Sequence, residues 1–157
     1  PLAGESLVRA KVSRLWIMAG KWDEPDGGRE NNFARNRRAS AAAAHLCDRW
    51  PTPVTFLGWE VGSTVISGAK LPDCDLLRQV LIDHGSAAGR SSWDPMLILL
   101  AAAGDPEKAG YRCVYGTASV DPESGRNYFR QASDGSHCYV VKLRPDAWYA
   151  AEIDRRL

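Results

Sequence analysis

The chain has 157 residues, enough for one ordinary domain able to bury a core. Its 45% hydrophobic and 25% charged residues exclude a disordered segment, and 20 basic against 19 acidic residues leave a formal charge of only +1. There is thus no global field to draw nucleic acid or an anionic membrane, and no apolar run approaches the roughly 20 residues that cross a bilayer, so neither is expected as a partner.

The opening residues Pro1-Leu2-Ala3-Gly4-Glu5-Ser6 lack the basic start and apolar stretch of a secretory signal. That tips the expectation towards the cytoplasm and leaves secretion open for a chain cut from a precursor. The first clear element is the apolar run Ser13 to Ala19, bounded by Gly20, which suits a central strand covered on both faces. From Gly20 to about Asn36 the chain carries Pro25, Gly27, Gly28 and several polar residues, and reads as a long loop at the end of that strand. An Ala-rich helix is predicted from Ala39 through Cys47, stopped by Pro51 and Pro53, and Val54 to Trp59 reads as a second buried strand. Strand, loop, helix and strand make one crossover unit of a parallel sheet, and ligands of such sheets sit beyond the carboxyl ends of the strands, where this loop must lie.

After an extended piece from Ser63 to Leu71, a helix is predicted from Cys74 to His84, stopped by Gly85, and Ser86 to Ser92 forms a small-residue loop. Pro95 suits the first position of a further helix, which puts Asp94 at its N-cap and makes the apolar run Met96 to Ala103 mostly buried. On local chemistry alone a structural cap is the favoured reading of Asp94. The functional reading is an anion held rigidly at the mouth of a site, with the Trp93 indole beside it. Beyond Gly110 the pattern changes to short strands with hairpin signals, an expected antiparallel annex, and Pro145 starts a terminal helix.

The four cysteines have neither CxxC nor His-paired spacing, which argues against zinc and for free thiols. Cys113 and Cys138 fall on two late strands and could face each other across a hairpin, where a disulfide is one option. His45 on the Ala-rich helix and His84 at a helix end read as structural or exposed, and His137 lies in a strand away from the inferred site. Arg35, Arg37 and Arg38 suggest a solvated helix entrance more than a phosphate site. Ser91 and Ser92 lack the Gly-x-Ser-x-Gly elbow of a nucleophile. Asp23, Glu24 and Asp26 form an acidic cluster that could serve a metal or a ribose, with plain solvation the favoured reading.

Taken together, the strand ending Ile17-Met18-Ala19-Gly20, the loop Glu30-Asn31-Asn32-Phe33, the Ala-rich helix, the strand Val54 to Trp59 and Ser92-Trp93-Asp94-Pro95 resemble the inosine–uridine-preferring nucleoside hydrolases. The resemblance runs along essentially the whole chain but covers only the carboxyl-terminal half of that family. The family's aspartate-rich DxDxxxDD string is absent here, and Pro1 to Glu5 resembles a loop that precedes the middle of the family's sheet in one branch. The resemblance implies an α/β fold, namely the carboxyl-terminal part of an open, mostly parallel sheet flanked by helices, with residues 1–157 forming a single partial domain.

It further implies hydrolysis of the N-glycosidic bond of ribonucleosides with a bound calcium ion. Asp94 matches a calcium-ligating aspartate that also touches the ribose hydroxyls, Asn32 an asparagine on those hydroxyls, and Glu30 a glutamate on the 5′-hydroxyl. A hard cation wants carboxylate oxygens, and an oxocarbenium-like transition state wants negative charge beside the sugar. Trp93 stands where many members carry a histidine that assists the leaving base, so it either stacks on the base or packs. Calcium takes about 6–8 oxygens and this chain offers one convincing carboxylate, so the ion is expected to be shared with residues outside it. The general base for the attacking water belongs to the missing half as well. A companion chain carrying the amino-terminal half, or self-association, is therefore expected, because an orphaned half-sheet bares a strand edge and apolar surface. The alternative is a non-catalytic relative that binds a nucleoside, a sugar or a protein and has lost the metal site.

Overall fold

The computed structural model describes residues 4–157. In chain order the elements are α1 (Gly4–Lys11), β1 (Leu15–Met18), α2 (Asn31–Ala34), α3 (Arg37–Arg49), β2 (Val54–Leu57), α4 (Trp59–Gly62), β3 (Ile66–Ser67), α5 (Leu76–Asp83), β4 (Arg90–Ser91), α6 (Trp93–Ala103), β5 (Tyr111–Val120), β6 (Asn127–Gln131), β7 (His137–Lys142) and α7 (Asp146–Asp154). The fold is mixed α/β. The loop expected over Pro1 to Glu5 falls for its first three residues outside the described chain, and Gly4 and Glu5 already belong to α1.

Five strands form one open sheet in the order β1-β2-β7-β5-β6, and β3 and β4 form a separate antiparallel pair. β1 pairs parallel with β2 from Leu15–Val54 to Met18–Leu57, and β2 pairs parallel with β7 from Val54–His137 to Phe56–Tyr139. The predicted crossover through α3 is therefore present. α3 runs from its Asn36 cap, whose side chain accepts the Ala39 N–H, to Arg49, where Pro51 and Pro53 forbid continuation.

Three expectations are corrected. β1 is an edge strand whose four residues are all half-buried, because among the described residues it pairs only with β2. The late strands do not stand apart as an annex: β5 and β6 are antiparallel to each other, yet β7 carries them into the main sheet. The apolar run of α6 buries one stripe, Met96 and Leu100, while Ile98 is 66% exposed. Residues four apart share a helix face, so two buried positions at that spacing account for one side of the helix.

By contact density the chain divides into two compact units. The first comprises the described residues up to Glu60 with Cys113–Val141, and the second comprises Val61–Arg112 with Lys142–Leu157. The core of the first lies on one face of the sheet, where Val54, Phe56, Ala118 and Val120 meet Phe33 and, from α3, Ala43 and Cys47. Trp22 is its hub, ringed by Phe33, Phe56, Phe129 and Tyr139, with its indole N–H on the Ala19 carbonyl at 3.1 Å. In the second unit Tyr149 packs on Tyr111 and donates its hydroxyl to the Gly110 carbonyl, while Asp154 accepts the Gly68 N–H at 2.7 Å.

Phe56 is fully buried whereas Ile98 is mostly exposed. Phe56→Ala is expected to lower unfolding free energy by about 3–5 kcal/mol and Ile98→Ala by about 0.5 kcal/mol or less, measured by urea titration with circular dichroism.

Candidate functional site

The loop after β1 begins with Gly20, held at φ +80°, where a Cβ would come within 2.5 Å of the Trp22 ring. Only glycine satisfies both that dihedral and that contact. The loop is then pinned from two directions. Asn127, 1% exposed at the start of β6, accepts the Lys21 N–H at 3.1 Å and donates Nδ2 to the Lys21 carbonyl at 2.8 Å. Glu30, 7% exposed, caps α2: its Oε1 accepts the Asn32 N–H at 2.8 Å and its Oε2 accepts the Gly20 N–H at 3.1 Å.

Glu30 and Asn32 therefore come together beyond the carboxyl end of β1, as the crossover argument requires. Asn32 is exposed, and its Nδ2 donates to the Met18 carbonyl at 3.0 Å. Its side-chain oxygen takes no hydrogen bond among the described residues. Glu30, by contrast, already spends one lone pair of each oxygen on the backbone.

Trp93 and Asp94 belong to the second unit. α6 starts two residues earlier than predicted: Ser92 is the N-cap and Asp94 is the second helical residue, so Asp94 is not the cap. The Ser92 hydroxyl does not cap the helix either. It is hydrogen-bonded with Ser67 Oγ at 2.7 Å and donates to the Arg90 carbonyl at 3.0 Å, tying the helix start to the β3–β4 pair. Asp94 is left exposed in the first turn, where the helix dipole favours an anion, and its carboxylate makes no hydrogen bond or ion pair among the described residues. Trp93 is half-buried and packs against Gly62, where a Cβ would lie 2.6 Å from the indole Cδ1.

Calcium needs about 6–8 oxygens. Asp94 offers one, and among the described residues no three His, Cys, Asp or Glu side chains group so as to hold a metal ion. The described residues of this chain do not by themselves make a calcium cage.

Of the other candidates, Lys21 pairs with Glu24 and, at 3.7 Å, with Asp23, so the acidic cluster is partly neutralised. Arg37 is exposed and pairs with Glu123 at 2.6 Å. His137 is buried, its Nδ1 accepts the Ala118 N–H at 3.0 Å, and burial holds its pKa below the ordinary value. His84 closes α5 and reaches Ser86 Oγ at 3.0 Å, and His45 is exposed on α3.

Sequence reasoning missed a cleft of about 250 Å³ beside the loop, walled by Lys21, Asp23, Glu24, Phe129, Gln131 and Tyr139. Trp22, which also lines it, donates its N–H to Glu60 Oε2 at 3.2 Å. Burial raises this carboxyl from 4.5 to about 7, and Asp23 adds to the rise, against hydrogen bonds from its own and the Trp22 N–H and the Lys21 charge. Asp23 and Glu24 stand out in the sequence as part of an acidic cluster, but no local signal brings them to the other walls, since the loop is joined to Asn127 across 106 positions. Comparison with protein-family models, with curated proteins and with solved structures finds no match.

Between 4.5 and about 7 the folded chain keeps a proton on Glu60 that the unfolded chain has lost. The stabilisation is thus complete in acid and disappears as pH rises through about 7. From about pH 5 to about pH 8 the urea midpoint of the parent is expected to fall relative to that of Glu60→Gln, which keeps the acceptor and cannot ionise. Parallel midpoints would remove Glu60 as the cause.

Proposed function

We propose that this chain is the carboxyl-terminal part of a nucleoside N-ribohydrolase, which transfers the ribosyl group of a ribonucleoside to water and releases the free base. The reading rests on the resemblance of the loop Glu30 to Phe33 and of Ser92 to Pro95 to the nucleoside hydrolases. The observation that carries it furthest is the exposed Asn32 amide fixed beyond the carboxyl end of a parallel strand, where ligands of such sheets bind. Asn32 and Glu30 would serve the sugar hydroxyls. Asp94, an exposed carboxylate without a protein partner among the described residues, would supply negative charge for a sugar that becomes cationic as the bond to the base breaks.

Calcium enters as a shared ion, with Asp94 giving one oxygen and a companion chain the others. The edge position of β1 supports a companion that adds to the sheet, and a second copy of the chain is the other candidate. Trp93 would flank the base and offers no proton to it, so leaving-group protonation is not expected from this position.

The alternative, a non-catalytic relative that binds a nucleoside or sugar, is favoured by two observations. Both Glu30 oxygens are already engaged, and Trp93 is packed on Gly62.

The two separate by assay. The chain co-expressed with a companion polypeptide that carries the amino-terminal half of a nucleoside hydrolase is expected to release hypoxanthine from inosine or uracil from uridine, and to stop on calcium chelation. Asp94→Ala should lower turnover by at least about 100-fold, the scale for losing a group aimed at transition-state charge. Full activity of that variant would remove the role, and calorimetric binding of inosine without base release would establish the alternative.

A further inference from the structure

The two cysteines that the proposed hydrolysis does not use lie close together in the first unit. Cys113 on β5 and Cys138 on β7 are free thiols on strands adjacent in the sheet, with their sulfurs 3.5 Å apart. Side chains alternate along a strand. Val54 and Phe56 face the core, so Thr55 and its partner Cys138 face the other side of the sheet. A polar row forms there. Arg14 Nη1 donates to Thr55 Oγ1 at 2.7 Å, and that hydroxyl lies 3.3 Å from the Cys138 sulfur. With the guanidinium occupying the hydroxyl oxygen, the Thr55 proton is free to point at sulfur.

Each neighbour favours a thiolate at Cys138. The Cys113 thiol beside it, the Thr55 hydroxyl and the Arg14 charge outweigh burial and hold its pKa below the ordinary thiol value. Cys113 moves the opposite way, because its hydrogen bond with Cys138 and its burial both favour the neutral thiol. Tyr115, next to Cys113 on the same strand face, is the remaining titratable group there. One sulfur is thus set up as a nucleophile and the other as its resolving partner. The other two cysteines offer a contrast. Cys47 is buried with its thiol pushed up to about 12, and Cys74 is exposed with no second cysteine beside it.

We infer that Cys113 and Cys138 form a reversible oxidation site for a small hydroperoxide, with Cys138 as the attacking sulfur and Cys113 as the resolving one. The Cys138 thiolate attacks the terminal oxygen of the peroxide, the O–O bond breaks, and the departing alkoxide or hydroxide takes up a proton. The Cys138 sulfenic acid is then attacked by the Cys113 sulfur, water leaves, and the disulfide forms. Two thiols have given two electrons to the peroxide, and an external dithiol restores them. Cys138 is 1% exposed and Cys113 partly exposed, which excludes a bulky oxidant such as glutathione disulfide and restricts the site to the smallest hydroperoxides. The inference stands independently of the proposed hydrolase activity.

The test treats the reduced chain with hydrogen peroxide, blocks remaining thiols with iodoacetamide, and maps peptides by mass spectrometry. The expected result is a Cys113–Cys138 cross-link, with Cys47 alkylated only after unfolding, and reversal by dithiothreitol. In Cys113→Ser, dimedone should label Cys138 as the trapped sulfenic acid. Arg14→Met should slow oxidation several-fold near pH 6 and shift the thiolate absorbance titration upward, with Arg14→Lys recovering most of the rate and guarding against a folding defect. A chain whose peroxide products involve only Cys74, or in which dimedone finds no Cys138 adduct, overturns the proposal. Equal rates for the parent and a folded Arg14→Met overturn the part assigned to Arg14.

Discussion

One buried amide holds the site's main loop in place. Asn127 grips both the N–H and the carbonyl of Lys21, and its own backbone trades two further hydrogen bonds with Gly28 at 2.8 and 2.9 Å. A primary amide is the natural group for this, since it donates and accepts along one edge and so meets the N–H and the carbonyl of one residue together. Remove it and a buried N–H and C=O lose their partners at once, a penalty of roughly 1–3 kcal/mol each. Everything beyond the end of β1, including the Glu30 cap and the position of Asn32, is built on a segment fixed in this way.

The Glu30 cap gives the second constraint. A carboxylate that receives two backbone N–H groups, one from the strand end and one from the helix start, shortens the effective loop without a covalent link. The residue proposed to serve a sugar hydroxyl is by geometry a structural clamp. Those roles are compatible, because each oxygen keeps a second lone pair.

Much of this was legible in the sequence, and the reasons are local. Pro51 and Pro53 end α3, alanines favour it, and short apolar runs on either side make a crossover. What failed was equally physical. An apolar run such as Leu15–Met18 reads the same whether one or two strands flank it, so edge and centre are indistinguishable without the pairing. Pro95 was read as the first helical residue, but proline is tolerated throughout the first turn, where no N–H is needed, and here it is the third. Ser92 holds the cap position while its hydroxyl serves Ser67, a partner 25 residues away. The cleft beside Lys21 was invisible because Lys21, Asn127 and Tyr139, distant in sequence, meet only in the folded chain. Cys113 and Cys138 do meet, but not across the expected hairpin: β5 forms its hairpin with β6, and β7 lies on the other side of β5, a placement that consecutive strand signals cannot give.

Cys74 sits on the turn just before α5, exposed and far in sequence from any other thiol, and nearby helical residues present Leu76 at 80% and Val80 at 54% exposure. A reactive group set next to a greasy surface makes air a reagent. Nothing among the described residues shields that thiol, so oxidants in solution reach it without any opening of the chain.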